Sequence, residues 1–144
     1  MAALRAALFL LLVSLLTIPF GVAVSLAVLF PMPTRYRIIA VWRCGFMALC
    51  QFVLGIRYRV LGRENIPDEP SVVLAKHQSA WETVGLQEIF PPLVFVLKKE
   101  LLRVPFFGWG LAAMKMISID RAAAKDALKQ VFDQGRERLS AGYW

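Results

Sequence analysis

Ser71-Val72-Val73-Leu74-Ala75-Lys76-His77-Gln78-Ser79-Ala80-Trp81-Glu82 is the stretch on which the fold turns. Its valine-rich opening predicts a buried strand over 71–75, and Ser79 followed three residues later by Glu82 has the spacing of a helix start. The helix that follows is predicted over 80–89. The alternation then repeats: 93–97 reads as a strand, 105–114 as a short helical segment, and 116–119 as a strand. The stretch 122–139 reads as a helix with Ala124, Ala127, Leu128, Val131 and Phe132 on one side. Apolar strands between helices predict an α/β fold whose sheet is covered by helices on both faces. A further strand is expected beyond Gly142, which suggests that the sequence is the N-terminal portion of a larger domain.

Upstream lies the charge-free run from Ala6 to Thr34, long enough as a helix to cross about 30 Å of hydrocarbon. Pro19 and Gly21 are expected to kink it, and Pro31-Met32-Pro33-Thr34 to end it. Its apolar part exceeds an ordinary secretory core, so it reads as retained. A second helical segment is expected over 38–54, lying in the interface, returning part-way into the bilayer, or packing on the first. A short strand is expected over 57–60. The domain division is therefore a membrane-anchoring region of one or two helices, 1–56, and an α/β region, 57–144.

The net charge of +7 is uneven, since the first 60 positions carry arginines and no acid. That pattern suits anionic headgroups, and the chain lacks the base-reading or stacking face that nucleic-acid binding needs. The excess of Arg35, Arg37 and Arg43 over Arg5 places the C-terminal region in the cytoplasm. Cys44 and Cys50, six apart among apolar residues, read as inert buried thiols. With a single histidine and no glycine-rich cradle, nothing in the sequence calls for a metal or a nucleotide cofactor.

The one histidine is the residue best suited to take a proton near neutral pH. On one continuous helix His77 and Glu82 would diverge, but a turn at His77 lets the carboxylate reach the ring and fix its tautomer. Two plainer readings stand beside this. His77 can be a loop residue, and Glu82 can be committed to capping the helix with Ser79.

His77-Gln78-Ser79-Ala80-Trp81-Glu82 resembles the H-x₄-D/E block of the membrane-bound glycerolipid acyltransferases. Lys98-Lys99-Glu100-Leu101 through Pro105-Phe106-Phe107-Gly108-Trp109 resembles their second block, and Ile119-Asp120-Arg121 is similar to its end. The third, Pro-Glu-Gly-Thr-Arg type block is not found. The resemblance implies a catalytic pair of His77 as base and Glu82 as its orienting partner. It also implies substrate binding by Arg121, at the glycerol phosphate, with Lys98 and Lys99 on a basic edge beside Arg103. The implied reaction moves a fatty acyl group from acyl-ACP (acyl-carrier protein) or acyl-CoA to the sn-2 hydroxyl of lysophosphatidic acid, giving phosphatidic acid without a cofactor at the bacterial inner membrane. An acyltransferase acting on glycerol 3-phosphate or another lysolipid, and a non-catalytic membrane-associated fragment, are the alternatives.

Overall fold

The computed structural model describes residues 1–120 and 122–144. Helix α1 (Ala2–Leu26) runs unbroken through Pro19 and passes into a 3₁₀ turn, Ala27–Leu29. Together these form the one helical stretch among the described residues long and apolar enough to cross a membrane, which marks the chain as membrane-associated. Helix α2 (Met32–Phe52) begins six residues earlier than expected. Pro33 falls in its first turn, where no amide donor is needed, so the proline pair that stops α1 also starts α2.

Of the three placements open to the second helix, the structure shows packing on the first. Trp42 Nε1–H donates to Thr17 Oγ1 at 3.1 Å, and the Phe9 and Phe46 rings meet edge to face at 5.8 Å. Arg35 is buried, with 7% of its surface exposed. It donates to Phe30 O at 3.0 Å, to Ala113 O at 2.7 Å, and to Val28 O. Its charge therefore caps backbone carbonyls at two chain turns and is not offered to headgroups. Arg43 is likewise taken up, by Glu88 at 2.5 Å.

Two of the expected strands are absent. Residues 57–60 and 71–75 join no strand ladder, and Leu74 is 94% exposed. Strand formation depends on a neighbouring strand, and here none lies alongside. Helix α3 (Ala80–Ile89) has the expected bounds. Strand β1 (Val96–Lys98) and strand β2 (Ile117–Ile119) pair in parallel with Leu97 opposite Ser118, and each is shorter than its apolar run. Between them lies α4 (Phe107–Ala113), and after them α5 (Ala124–Ser140).

The sheet has a third participant. Trp144 N–H donates to Pro92 O at 3.0 Å and Val94 N–H donates to Trp144 O at 2.7 Å, the parallel pattern. Phe95 O, one residue out of phase, accepts from Ile117 N–H at 2.9 Å. Successive peptide groups point to opposite sides of a strand, so Trp144 lies on the edge of the β1 run away from β2.

The result is a small parallel sheet packed against helices behind an N-terminal apolar helix, a glycerolipid-acyltransferase-like α/β arrangement. One core joins α1, α4 and the run into β2 through Val24, Ala113, Met114 and Met116. A second joins α2 and α3 through Phe46, Cys50 and Val84. On α5, Leu128 and Phe132 stay exposed. Cys50 is buried as expected, whereas Cys44 is exposed.

Candidate active site

The start of α3 is built by its capping residues. Ser79 has extended backbone, and its Oγ accepts the Trp81 N–H at 3.2 Å. Glu82 reaches back one turn. Its Oε2 accepts Ser79 N–H and Ser79 Oγ–H, both at 2.8 Å, while Oε1 accepts Gln78 N–H at 2.8 Å and Ser79 N–H at 3.0 Å. This is the reciprocal capping arrangement that the Ser-x-x-Glu spacing predicts. It closes the turn that brings His77 over the same carboxylate.

His77 Nδ1 lies 3.8 Å from Glu82 Oε2. The separation is beyond hydrogen-bond length, and the carboxylate is already occupied by the helix end. Of its four acceptor interactions only the Ser79 hydroxyl bond can be released by rotating one O–H. A closing movement of about 1 Å would then bring the imidazole to hydrogen-bond distance. The Ser79 hydroxyl, opposed by partial desolvation and aided by the Gln78 and Ser79 amides, lowers the Glu82 carboxyl to about 2. Glu82 is therefore a fixed anion beside the ring. His77 itself is 72% exposed, and among the described residues its Nε2 makes no hydrogen bond.

The remaining expected residues gather elsewhere. Parallel pairing puts the carboxyl ends of β1 and β2 side by side, with Lys98 opposite Ile119. Lys99 Nζ stands 3.9 Å from Asp120 Oδ2, and Asp120 Oδ1 accepts the Ala122 N–H at 3.0 Å. Arg121 lies outside the described residues. The structure thus unites His77 with Glu82, and Lys98 with Lys99. Among the described residues no hydrogen bond or ion pair joins the two groups.

Sequence reasoning missed the ion pair of Arg43 with Glu88, which ties α3 to α2. The partners are 45 positions apart, and no local pattern announces such a pair. It also missed Asp120 as the neighbour of Lys99, which the adjacency of two parallel strand ends creates.

Residues 57–144 match the family model described as Acyltransferase. The chain is 49% identical to a 1-acyl-sn-glycerol-3-phosphate acyltransferase of Pseudomonas aeruginosa, across 99% of the chain and 56% of that relative. It is 35% identical over 98 residues to the enzyme of that name from Saccharomyces cerevisiae, covering 67% of the chain and 32% of the relative. To the human 1-acyl-sn-glycerol-3-phosphate acyltransferase alpha it is 34% identical over 92 residues, covering 62% of the chain and 32% of the relative. The chain therefore spans little more than half the length of the first of these relatives and a third of the others. No solved structure matches it. With the matched region taking in both His77 with Glu82 and the carboxyl ends of the sheet, the chain belongs to the acyltransferase family.

Proposed function

We propose that this chain carries the catalytic pair of an enzyme that transfers a fatty acyl group from acyl-ACP or acyl-CoA to the sn-2 hydroxyl of 1-acyl-glycerol 3-phosphate, forming phosphatidic acid. The observation that carries the reading is the approach of His77 Nδ1 to the ionised Glu82 within the family's region. Residues 1–56 anchor the protein and 57–144 supply the acyltransferase region. Arg121, Lys98 and Lys99 bind the anionic substrate. The enzyme works at the bacterial inner membrane with this region facing the cytoplasm, in keeping with the arginines that follow α1.

The approach of the two side chains supports one assignment of the protons. Once the ring closes on the carboxylate, Glu82 accepts Nδ1–H and leaves Nε2 as the base. As Nε2 takes the acceptor's hydroxyl proton, the oxygen attacks the thioester carbonyl and a tetrahedral intermediate forms. The intermediate collapses with loss of the thiolate, and the imidazolium returns its proton to the leaving sulfur. Glu82 stabilises the imidazolium between these steps. A lipid acceptor suits an enzyme with an apolar anchor, because its chain need not leave the bilayer.

An assay of the protein with acyl-CoA or acyl-ACP and a panel of acceptors tests this reading. Phosphatidic acid from lysophosphatidic acid, with slow or no reaction of glycerol 3-phosphate and neutral lysolipids, is the expected result. Preferential acylation of glycerol 3-phosphate, or transfer to no acceptor, would overturn it.

A further inference from the structure

One oxygen of Glu82 is claimed from two sides. Its Oε2 accepts Ser79 N–H and Ser79 Oγ–H, both at 2.8 Å, and the same oxygen stands 3.8 Å from His77 Nδ1. A carboxylate oxygen has two lone pairs, so the backbone amide and the hydroxyl together fill Oε2 and leave none for the ring. The other oxygen is taken as well, because Oε1 accepts Gln78 N–H at 2.8 Å and Ser79 N–H at 3.0 Å. The backbone amides cannot turn aside while α3 keeps its cap, whereas the Ser79 hydroxyl can. Its oxygen accepts Trp81 N–H at 3.2 Å through a lone pair, without using the hydroxyl proton. Ser79 can therefore release the carboxylate and still hold the helix start, and its exposure lets water take the freed O–H. Among the described residues His77 is the one ionisable partner of Glu82 within ion-pair distance, and the charges that join α3 to α2, Arg43 and Glu88, are paired with each other.

We propose that Ser79 is a positioning residue whose hydroxyl competes with the His77 ring for Oε2 of Glu82, and so sets how much of the histidine stands in the Nδ1–H tautomer that leaves Nε2 unprotonated. The proposal rests on the acyltransferase reading above and names what governs its base. The exchange breaks one O–H···O contact and forms one N–H···O contact, and no covalent bond changes. In the neutral site the two donors are closely matched, since each makes a charge-assisted bond to the same anion, and the ring closes on the carboxylate part of the time. Once Nε2 takes a proton the ring is a cation, and Coulomb attraction is added on its side only. The closed arrangement is then favoured outright. Glu82 thus holds the histidine more tightly after the proton has moved than before, which is the kind of interaction that lowers a barrier.

Nitrogen-15 NMR of the purified protein in detergent micelles, labelled at its one histidine, tests the proposal. In alkaline solution, where imidazole is neutral, the shifts of the two ring nitrogens give the ratio of Nδ1–H to Nε2–H. Ser79→Gly removes the hydroxyl and keeps the helix start, because glycine caps nearly as well as serine. It should raise the ratio about three- to tenfold over wild type, the worth of one hydrogen bond. Ser79→Thr, which retains a hydroxyl, should match wild type. In a Glu82→Gln background Ser79→Gly should leave the ratio unchanged, since the carboxylate through which it acts is gone. Circular dichroism confirms that each variant is folded. A Ser79→Gly ratio no higher than wild type, a Ser79→Thr ratio like that of Ser79→Gly, or a change that survives in the Glu82→Gln background would overturn the proposal. Because the tautomers are read without turnover, the expected ratios in a protein that transfers no acyl group would refute the reaction and keep the competition. Acyl transfer that depends on His77, with a ratio indifferent to Ser79→Gly, would refute the competition and keep the reaction.

Discussion

Glu82 closes the start of α3, and its carboxylate also stands 3.8 Å from the ring of His77. Its carboxyl is lowered from 4.5 to about 2, first by the Ser79 hydroxyl. A carboxyl depressed on folding stabilises the fold above its unperturbed value, and that contribution is lost as pH falls through the folded value. The stability difference between wild type and Glu82→Gln should therefore be complete above pH 4.5 and vanish as pH drops toward 2, read by helix signal in urea titrations. A difference that stays constant across that window would contradict the capping geometry. The capping role of Glu82 was legible in the sequence from the Ser-x-x-Glu spacing. The 3.8 Å separation was not, because it follows from how many donors reach the carboxylate at once.

At the scale of elements, α1 is more than an anchor. Position 21 faces the backbone of Phe106, where a Cβ would fall 2.5 Å from the carbonyl oxygen. Phe106 sits at φ 62, ψ −55, with Phe107 N–H donating to Pro105 O at 2.7 Å. Only glycine lets the apolar helix close on this turn. Gly21→Ala should cost about 1 to 3 kcal/mol by forcing the two backbones apart, measured by denaturant unfolding in detergent, and an unchanged midpoint would contradict the packing. The sequence suggested a kink at Gly21, and the structure shows instead a point of close approach. Helix α3 was legible from its cap and α5 from its local period. The absent strands over 57–60 and 71–75 were not, since a valine-rich run becomes a strand only where another strand lies beside it.

The whole molecule is a helical hairpin with an α/β region packed along it, α4 against α1 and α3 against α2. Leu4, Leu8, Leu11, Leu15, Ile18 and Val22 recur at spacings of three and four and are all exposed, an apolar stripe turned away from both partners. Lysine at Leu8, Leu11 and Leu15 together should release the protein from membranes, at about 2 to 3 kcal/mol for each residue at hydrocarbon depth, as judged by vesicle flotation; retention would contradict a lipid-facing stripe. The α/β class was legible from the alternation of strand and helix, whereas the pairing of Trp144 beside β1 was not. The joining of the α1–α2 turn to α4 through Arg35 was not legible, because a buried arginine serving three carbonyls looks like any basic residue beside an apolar helix. The central claim is that His77, held by Glu82, is the base for acyl transfer. Its most direct test is the turnover of folded His77→Ala protein with lysophosphatidic acid and acyl-CoA. A fall of about 10² to 10⁴ in kcat with little change in the KM for either substrate is predicted, and turnover equal to wild type would contradict it.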